Sequence, residues 1–377
     1  MNILHITTFL QGGAGRLISD LACSQARSGH KVTVAASRTG EQDYGNYPQW
    51  LDRLASAGIP LILVESTFKR TVSFNVAAFR QIAESLDCGS LSLIHTHAAI
   101  PSLVALLLRS RAKRAIPIVQ TMHGWGIRKD PEQSATDITL MNQLDRVVAT
   151  SESSQRLLLR LGLAPELISV VANGVAPLPP HIDTIDTSLL RLWRSNGFMI
   201  LVCIGTVGSR KNQRLLLQAM AQPQAPQNLA CAVVGEGEEV PALQAMAQDS
   251  GIADRVYFFG HQPEGAQFIA GADWLVLPSN DEGQPLSVLE AYQAGVPVLG
   301  SDIPEIAEVV FPEQTGILFH AGNVDSLVQA LALAARTPED KRKRMGAEAK
   351  KLWQERFSLD RMLDQYARIY HELLSSP

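Results

Sequence analysis

Residues 272–291 read A-D-W-L-V-L-P-S-N-D-E-G-Q-P-L-S-V-L-E-A. The apolar run 274–277 is typical of a buried parallel strand, and a glycine and proline loop and then a helical pattern follow it. Two carboxylates, Glu282 and Glu290, lie eight residues apart in this stretch. Carboxylates accept hydrogen bonds from vicinal hydroxyls, so the stretch predicts a site for a sugar or a ribose at the carboxyl end of a strand.

The same alternation of short apolar runs and helical patterns continues in both directions. Strand, helix and strand joined by short loops indicate parallel pairing, because parallel neighbours need a crossover and the crossover is helical. The predicted strands are 2–7, 31–36, 61–64, 91–96, 117–121, 146–150, 167–172, 199–204, 229–234, 256–259, 274–277, 297–299 and 316–319. We therefore predict two doubly wound, Rossmann-like α/β domains, each with its ligand groups at the carboxyl ends of its strands.

The series of strands is interrupted once, at residues 173–180, which read N-G-V-A-P-L-P-P. Turn formers and prolines at this density indicate a domain boundary. We predict a first domain over 1–176, a second over 177–356, and a C-terminal helix over 357–377 that packs back on the first domain. Ser358 is the candidate N-cap of that helix.

The composition indicates a globular chain with well-filled cores. Its 377 residues are 46% hydrophobic and 19% charged, which excludes a disordered, fibrous or disulfide-rich protein. The formal net charge of −4 is uneven, because residues 1–176 hold 17 Lys and Arg against 13 Asp and Glu, and the remainder holds 16 against 24. Four widely spaced cysteines indicate neither structural zinc nor a disulfide framework.

The start of the chain lacks a basic n-region, and no apolar run approaches the ~18 residues that a membrane span needs. We expect a cytoplasmic protein with no nucleic-acid partner. An apolar stretch at 103–108 precedes the basic stretch 109–114, R-S-R-A-K-R, and Lys69 and Arg70 add further charge. These residues form either a surface for an anionic membrane, with the protein peripheral to its inner face, or a core helix with a solvated basic end.

Glycines and histidines mark the strand ends of the first domain. Gly12 and Gly13 stand where the first strand passes into a helix, where backbone amides can approach a phosphate or a sugar. Ile18 occupies the last position of a G-x-G-x-x-G pattern there, so a dinucleotide fingerprint is not met. His95 and His97 share a face of one strand, and we interpret His95 as a buried, hydrogen-bonded residue, because a metal site would need a third ligand. His123 closes the next strand beside a glycine loop, which favours a functional role.

The second domain has its own basic loop. Its first strand ends in G-T-V-G-S-R-K-N, residues 205–212, and a leucine-rich helix follows. Arg210 and Lys211 stand at the start of that helix, where the helix dipole already places positive charge. An anion between them would remove this conflict, so the loop predicts a diphosphate site. A similar loop at 235–239 is weak by itself, and Val240 breaks its G-x-G-x-x-G pattern.

These segments together carry a family resemblance. The E-x7-E motif of Glu282 and Glu290 within E-G-Q-P-L-S-V-L-E-A-Y-Q-A-G-V-P-V resembles the retaining glycosyltransferases of family 4. Matching segments run in order through nearly the whole chain: Gly12-Gly13, 28–32, 173–175, Gly205 with Lys211, 282–298, 303–305 and 315–316. The resemblance implies the GT-B fold, with two facing domains, the first binding an acceptor and the second a nucleotide-sugar donor.

The resemblance also implies roles for single residues. Lys211 would neutralise the donor diphosphate and Glu290 would hold the ribose. His123 would contact the sugar near the reacting carbon, and the Gly12-Gly13 loop would approach the same sugar and its phosphate. Glu282 would hold the transferred sugar together with the amides of Gly283, Gln284 and Leu286 and the carbonyl of Pro285, which has no amide to donate.

The chain departs from the family pattern at two positions that bear on the donor. Thr206 stands where an arginine often follows the matching glycine, so the diphosphate would depend on Lys211 with help from Arg210. Gln284 and Pro285 replace the commoner Phe-Gly, which bears on the choice of sugar. No metal or cofactor is expected, because the cations are protein side chains and no D-x-D motif stands out.

The predicted function is transfer of a hexose-type sugar from a nucleotide diphosphate donor to a hydroxyl acceptor, with retention of the anomeric configuration. The acceptor would be a glycan or a lipid-linked glycan in polysaccharide, lipopolysaccharide or glycolipid assembly. Three alternatives remain: a nucleotide-sugar epimerase on the same fold, a nicotinamide-dependent oxidoreductase, and a non-catalytic sensor of sugar nucleotides. The two failed G-x-G-x-x-G patterns count against the oxidoreductase.

Overall fold

The computed structural model describes residues 1–40, 45–65, 68–112, 114–126, 129–178, 187–262 and 265–375. The chain forms two compact units. Unit 1 comprises Met1–Asn173 and Asp360–Pro377, and unit 2 comprises Gly174–Leu359. Each has its own parallel sheet and its own cores.

Unit 1 is built on a seven-stranded parallel sheet with the order β3-β2-β1-β4-β5-β6-β7. Its strands are β1 (Asn2–Ile6), β2 (Lys31–Ser37), β3 (Leu61–Val64), β4 (Leu93–Thr96), β5 (Ile118–Met122), β6 (Arg146–Ala149) and β7 (Ile168–Val170). Every strand predicted for this part of the chain is present, with ends displaced by two residues or fewer. The order reverses between β1 and β4, and a crevice outside the strand ends at such a switch point is the usual ligand site of open α/β sheets.

Helices connect the strands of unit 1 on both faces of the sheet. They are α1 (Gly12–Arg27), α2 (Pro48–Ser56), α3 (Val72–Ser85), α4 (Ala99–Ala112), α5 (Pro131–Met141) and α6 (Glu152–Arg160), with 3-10 turns at Cys88–Ser90 and Pro165–Leu167. One face of the sheet carries the larger apolar core, which includes Leu4, Ile94 and Ile118. A second core, with Ile18 and Leu54, lies under α1 and α2.

The apolar stretch at 103–108 belongs to α4, and its Val104, Ala105 and Leu108 are fully buried in the larger core. Arg109 at its basic end pairs with Asp145, at 2.8 Å between Nη1 and Oδ2. Lys113 lies outside the described residues. The core-helix interpretation of this stretch is therefore the one that the structure supports, and no helix among the described residues is long and apolar enough to cross a membrane.

Unit 2 repeats the plan with a six-stranded parallel sheet in the order β10-β9-β8-β11-β12-β13. Its strands are β8 (Met199–Ile204), β9 (Leu229–Val234), β10 (Val256–Phe258), β11 (Trp274–Leu277), β12 (Val298–Ser301) and β13 (Gly316–Phe319). All six were predicted from their apolar runs. The order reverses between β8 and β11, so the loops after these two strands open at the switch point.

The helices of unit 2 cover both faces of its sheet. They are α7 (Ser188–Ser195), α8 (Gln213–Met220), α9 (Val240–Asp249), α10 (Ala266–Ala270), α11 (Leu286–Ala294), α12 (Pro304–Ala307), α13 (Val324–Arg336) and α14 (Glu339–Leu352), with a 3-10 turn at Ala253–Arg255. Leucines 215, 216 and 217 of α8 are buried in the core of this unit. This confirms the leucine-rich helix expected after the basic loop.

The C-terminal stretch consists of two helices, and the second begins directly after Ser358, the candidate N-cap. Helix α14 passes into a π turn at Trp353–Phe357, and α15 spans Leu359–Ser375. Val175 exchanges backbone hydrogen bonds with Phe357 and Leu359, at 3.0 and 3.1 Å. From Asp360 onwards α15 belongs to unit 1, and its Tyr370 and Tyr366 are hydrogen-bonded to His95 and Thr121. Of the predicted domain boundary at 173–180, Pro179 and Pro180 lie outside the described residues.

Candidate functional site

The basic loop and the acidic loop of unit 2 lie side by side at the switch point of its sheet. Residues 205–212 follow β8, and residues 278–285 follow β11, its neighbour in the sheet. Backbone and amide hydrogen bonds join the two loops. The amide nitrogen of Asn280 donates to the carbonyl of Arg210 at 2.9 Å, and its side chain donates to the carbonyl of Ser209 at 2.9 Å.

Lys211 and Glu282 form the centre of this arrangement. Lys211 Nζ donates to Glu282 Oε1 at 2.6 Å, and Ser279 Oγ donates to the same oxygen at 2.7 Å. Arg210 Nη1 reaches Glu282 Oε2 at 3.3 Å. Both oxygens of the carboxylate are thus held, and the ammonium of Lys211 is fixed at the strand end. Two cations against one anion leave a net positive charge on these three residues.

The ionisation state of Glu282 depends on those two cations. Burial by itself would raise its pKa, but Lys211 and Arg210, together with hydrogen bonds from Lys211 and Ser279, lower the pKa below its usual value. The neighbouring Asp281 lies in the opposite situation, because burial raises the pKa of its carboxyl. Glu282 is therefore an anion at neutral pH that orients Lys211.

Glycines make room for the lysine. Gly205 has φ +131°, and a Cβ at this position would lie 3.1 Å from Cε of Lys211. A Cβ on Gly235, at the end of β9, would lie 2.0 Å from the carbonyl oxygen of Gly205. The two strand ends can approach each other only because Gly235 lacks a side chain, and the missing side chain of Gly205 leaves room for Lys211. The 235–239 loop thus packs against the basic loop and supports its shape.

The predicted donor residues at the start of α11 are mostly buried. Gln284, Pro285 and Glu290 are buried, and Leu286 is partly buried at the first position of the helix, with Pro285 as its N-cap. Sequence reasoning missed Ser287, whose buried hydroxyl has no hydrogen-bond partner among the described residues. A serine in the first turn of a helix carries no signal that separates it from an ordinary helix start.

Gly12 and Gly13 begin α1 and are exposed. Gly12 has φ +52°, and no atom lies within 4 Å of a Cβ built on it. Gly15 has a different role, because its Cβ would lie 2.5 Å from the backbone of Leu10. The first two glycines thus leave an open backbone at the strand end, and the third allows α1 to pack closely.

In unit 1 the parallel register brings four histidines together. His5 of β1 is paired with His95 of β4, and His97 and His123 follow at the carboxyl ends of β4 and β5. Because alternate residues share a face, all four side chains lie on the face opposite Leu4 and Ile94. His95 is fully buried and hydrogen-bonded, as predicted, whereas His123 is partly buried.

The histidines form a hydrogen-bonded line with two helices over it. His5 Nε2 lies 2.8 Å from Oε1 of Gln25 on α1, His5 Nδ1 lies 3.0 Å from Nε2 of His97, and His97 Nδ1 lies 3.0 Å from Nε2 of His123. His95 lies beside this line. It joins Tyr370 of α15 at 2.6 Å through Nδ1 and Thr121 of β5 at 2.8 Å through Nε2.

Burial keeps these imidazoles neutral. It lowers the pKa of His5 and of His123 to about 4, and it lowers the pKa of His95 and His97 well below the usual value. His5 is the third histidine beside His95 and His97, and one ring nitrogen of each lies within 4.8 Å of the others. Each ring nitrogen of these three already has a protein hydrogen-bond partner, which favours a hydrogen-bond network over a metal site.

No sequence pattern places His5 beside His95 or singles out Gln25 or Tyr370. Gln25 lies 20 residues from His5, and Tyr370 lies 275 residues from His95. The pairing of β1 with β4 is the signal that joins the two histidines, and it becomes readable only once the strand order and register are known.

Comparison with known families covers both units. Residues 11–177 match the family model described as Glycosyltransferase Family 4, and residues 194–352 match the model described as Glycosyl transferases group 1. The two matches take in the exposed glycines of α1, His95, His97 and His123, and both loops at the switch point of unit 2.

Similar proteins agree with these matches. The chain is 28% identical to the N-acetyl-alpha-D-glucosaminyl L-malate synthase of Bacillus anthracis over 80% of each chain. It is 25% identical to the UDP-Gal:alpha-D-GlcNAc-diphosphoundecaprenol alpha-1,3-galactosyltransferase of Escherichia coli, over 74% of this chain and 76% of that one. In fold it is similar to Anabaena Alr3699/HepE, solved in complex with UDP-glucose, with a TM-score of 0.81, 20% identity, and coverage of 99% and 100% of the two chains.

Proposed function

Because this chain belongs to glycosyltransferase family 4, with the GT-B fold and a group 1 glycosyl transferase domain, we propose that it transfers a hexose-type sugar from a nucleotide diphosphate donor. The acceptor in this proposal is a hydroxyl of a glycan or of a lipid-linked glycan, and the anomeric configuration is retained. Neither the epimerase nor the oxidoreductase alternative gains support from the relatives, which are named as glycosyl-transferring enzymes.

The observation that carries the proposal is the Lys211–Glu282 pair at the switch point of unit 2. Breaking the anomeric bond leaves a nucleoside diphosphate, and its growing negative charge needs fixed positive charge nearby. Lys211 supplies that charge in a defined position because Glu282 holds it, and Arg210 adds a second cation. No metal is required in this scheme, so a chelator should leave turnover unchanged.

We take UDP-sugars as the first donors to test. The E. coli relative is named for UDP-Gal, and the Anabaena protein of the same fold was solved with UDP-glucose. The acceptor of the E. coli relative, as named, is a sugar on diphosphoundecaprenol. This supports a lipid-linked glycan as the acceptor class, and the excess of Lys and Arg over Asp and Glu in residues 1–176 is favourable to an acceptor that carries phosphate.

The proposed reaction exchanges one bond at the anomeric carbon. The bond from that carbon to the diphosphate oxygen breaks, and the acceptor oxygen forms its bond on the same face. The acceptor proton passes to the departing diphosphate oxygen. Glu282 and the start of α11 hold the transferred sugar, Glu290 holds the ribose, and His123 contacts the sugar in unit 1. Gly12 and Gly13 leave the backbone of α1 open to the same ligand.

Titration calorimetry with UDP tests the site. Lys211→Met removes the charge but keeps the length of the chain, and we expect it to weaken UDP binding about 10- to 100-fold, since a hydrogen bond to a charged group contributes about 1.5–3 kcal/mol. Lys343→Met is the matched control, because Lys343 is an exposed lysine of α14 that pairs with Glu339. Equal UDP affinity in wild type and Lys211→Met would overturn the assignment of the diphosphate site.

A further inference from the structure

Gln25, which belongs to no motif of the chain, terminates the histidine line of unit 1. Its side chain is buried, and its amide has two partners. Oε1 lies 2.8 Å from His5 Nε2, and Nε2 donates to the hydroxyl of Tyr370 at 3.2 Å. The amide therefore presents an acceptor to one hydrogen-bonded branch and a donor to the other.

The acceptor end of the amide determines the tautomers along the first branch. A neutral imidazole has one N–H donor and one acceptor nitrogen. His5 must donate from Nε2 to reach Oε1 of Gln25, so its Nδ1 accepts from His97. His97 then donates from Nε2 and accepts at Nδ1, and His123 donates from Nε2. The lone pair of His123 is left on Nδ1, which is shielded from solvent and has no protein partner among the described residues.

The donor end determines the second branch in the same way. Tyr370 accepts from Gln25, so its own hydroxyl donates to Nδ1 of His95. His95 donates from Nε2 to Thr121, and the Thr121 hydroxyl donates to Tyr366. The donor and acceptor roles of all residues in both branches therefore follow from one orientation of the Gln25 amide.

The opposite tautomer of His123 requires the whole network to reverse. With Nδ1 protonated, His123 would accept from His97 at Nε2, His97 from His5, and His5 from the amide nitrogen of Gln25. The branch through Tyr370 and His95 would reverse with it. A change at one ring alone would place two donors or two acceptors against each other at about 3 Å, which leaves a buried polar group without a hydrogen bond and is unfavourable. The network thus has two collective arrangements.

We propose that Gln25 is a positioning residue that, through His5 and His97, fixes His123 with its proton on Nε2 and its lone pair on Nδ1. His123 is then held in one tautomer and one ring orientation for its contact with the bound substrate. The inference rests on the proposed function only in this last step, the contact between His123 and substrate. The fixed tautomer is a property of the free protein and is testable without any substrate.

Nitrogen-15 NMR of histidine-labelled protein at neutral pH tests the tautomers directly, because long-range couplings distinguish a protonated from an unprotonated ring nitrogen. The expected result is Nε2–H with an unprotonated Nδ1 for His5, His95, His97 and His123. Nδ1–H at His5, His97 or His123, or an imidazolium at any of them, would overturn the proposal. The wild-type spectrum decides this point even if a variant fails to fold.

Variants of Gln25 test whether the amide sets the tautomer. Gln25→Met removes both hydrogen bonds, and we expect His123 to lose its single tautomer and turnover to fall about tenfold, with the KM for the donor unchanged. Gln25→Glu keeps the acceptor for His5 and should restore the Nε2–H form of His123 and most of the turnover. An unaltered His123 signal in Gln25→Met would contradict the proposal.

Gln120→Met is the matched control. Gln120 is a buried amide of β5 that accepts from Ser102 on the opposite face of the sheet. Its loss should lower stability without moving the histidine signals. If wild type turns over no sugar nucleotide but shows the expected tautomers and the response to Gln25→Met, the proposed function fails and the positioning network stands. If wild type turns over a sugar nucleotide but Gln25→Met leaves the His123 signal unaltered, the positioning role fails and the proposed function stands.

Discussion

A single buried carboxylate, Glu282, organises the charges of the candidate donor site. Its two oxygens accept hydrogen bonds from Lys211, Ser279 and Arg210. A buried anion is unfavourable unless it is paired, and the pairing here gives it a lowered pKa. Glu282 is therefore ionised whenever Lys211 is in place, and each residue depends on the other for its position.

Glu282→Gln should separate binding from transfer. The amide keeps an oxygen that can accept from Lys211, so we expect UDP affinity to change by less than about threefold. Turnover should fall about 100-fold because the sugar loses its charged acceptor. Titration calorimetry and UDP release measure the two effects. Asp281→Asn serves as the control, since this neighbouring carboxylate makes no hydrogen bond to Lys211. Wild-type turnover in Glu282→Gln would remove its role at the sugar.

At the scale of the elements, both candidate sites form where a parallel strand ends. The loops after β8 and β11 bring Lys211 to Glu282, and the ends of β1, β4 and β5 bring the histidines into one line. The ends of β8 and β9 approach closely because Gly235 lacks a side chain, and the absence of a side chain at Gly205 leaves room for Lys211. The backbone at these ends is thus as important for the site as the charged residues are.

Gly205→Ala tests this dependence on the backbone. The new methyl group would lie 3.1 Å from Cε of Lys211, and the positive φ adds strain of about 1–3 kcal/mol. We expect lower stability and at least about tenfold weaker UDP binding. Gly197→Ala is the comparison, because Gly197 also has a positive φ, +83°, but no atom within 4 Å of its Cβ. Gly197→Ala should lower stability without changing UDP affinity. Equal UDP affinity in the two variants would show that Lys211 does not need the space beside Gly205.

The strands were readable from the sequence, and the contacts between distant strands were not. Each of the thirteen strands is a short apolar run between turn signals, which is a local pattern, and the Gly, Lys and Glu motifs at their ends are local too. The histidine line is not local. His5 meets His95 through the pairing of β1 with β4, and Gln25 reaches the line only because α1 crosses that face. Neither spacing nor composition contains this information.

At the scale of the whole molecule, the two units differ in how they should respond to acid. Unit 1 contains the four histidines whose pKa values are lowered by burial. Unit 2 contains Glu282, whose pKa is lowered from 4.5 by its cations. A group with a lowered pKa stabilises the fold at any pH above the pKa that the group has in the unfolded chain. This contribution is lost as the pH falls towards the pKa of the group in the folded protein. As the pH falls, the loss of stability therefore begins near pH 6.5 in unit 1 and near pH 4.5 in unit 2.

Unit 1 should consequently lose stability first on acidification. For His5, a pKa of about 4 against 6.5 unfolded corresponds to about 3 kcal/mol lost by pH 4. Urea unfolding followed by peptide-resolved hydrogen exchange at pH 7.5, 6 and 5, corrected for intrinsic exchange rates, reports each unit separately. Peptides of 2–6, 93–97 and 118–123 should lose protection before those of 199–204 and 274–277. Simultaneous loss in both sheets would contradict this order.

The most direct test of the donor site is hydrogen–deuterium exchange of the full chain with and without saturating UDP. We expect slower exchange in residues 205–212 and 283–290 of unit 2, where backbone amides and Lys211 would surround the diphosphate. The same protection should be much weaker in Lys211→Met at equal UDP concentration. UDP binding that leaves both segments unprotected would contradict the assignment of this switch point as the site of the nucleotide-sugar donor.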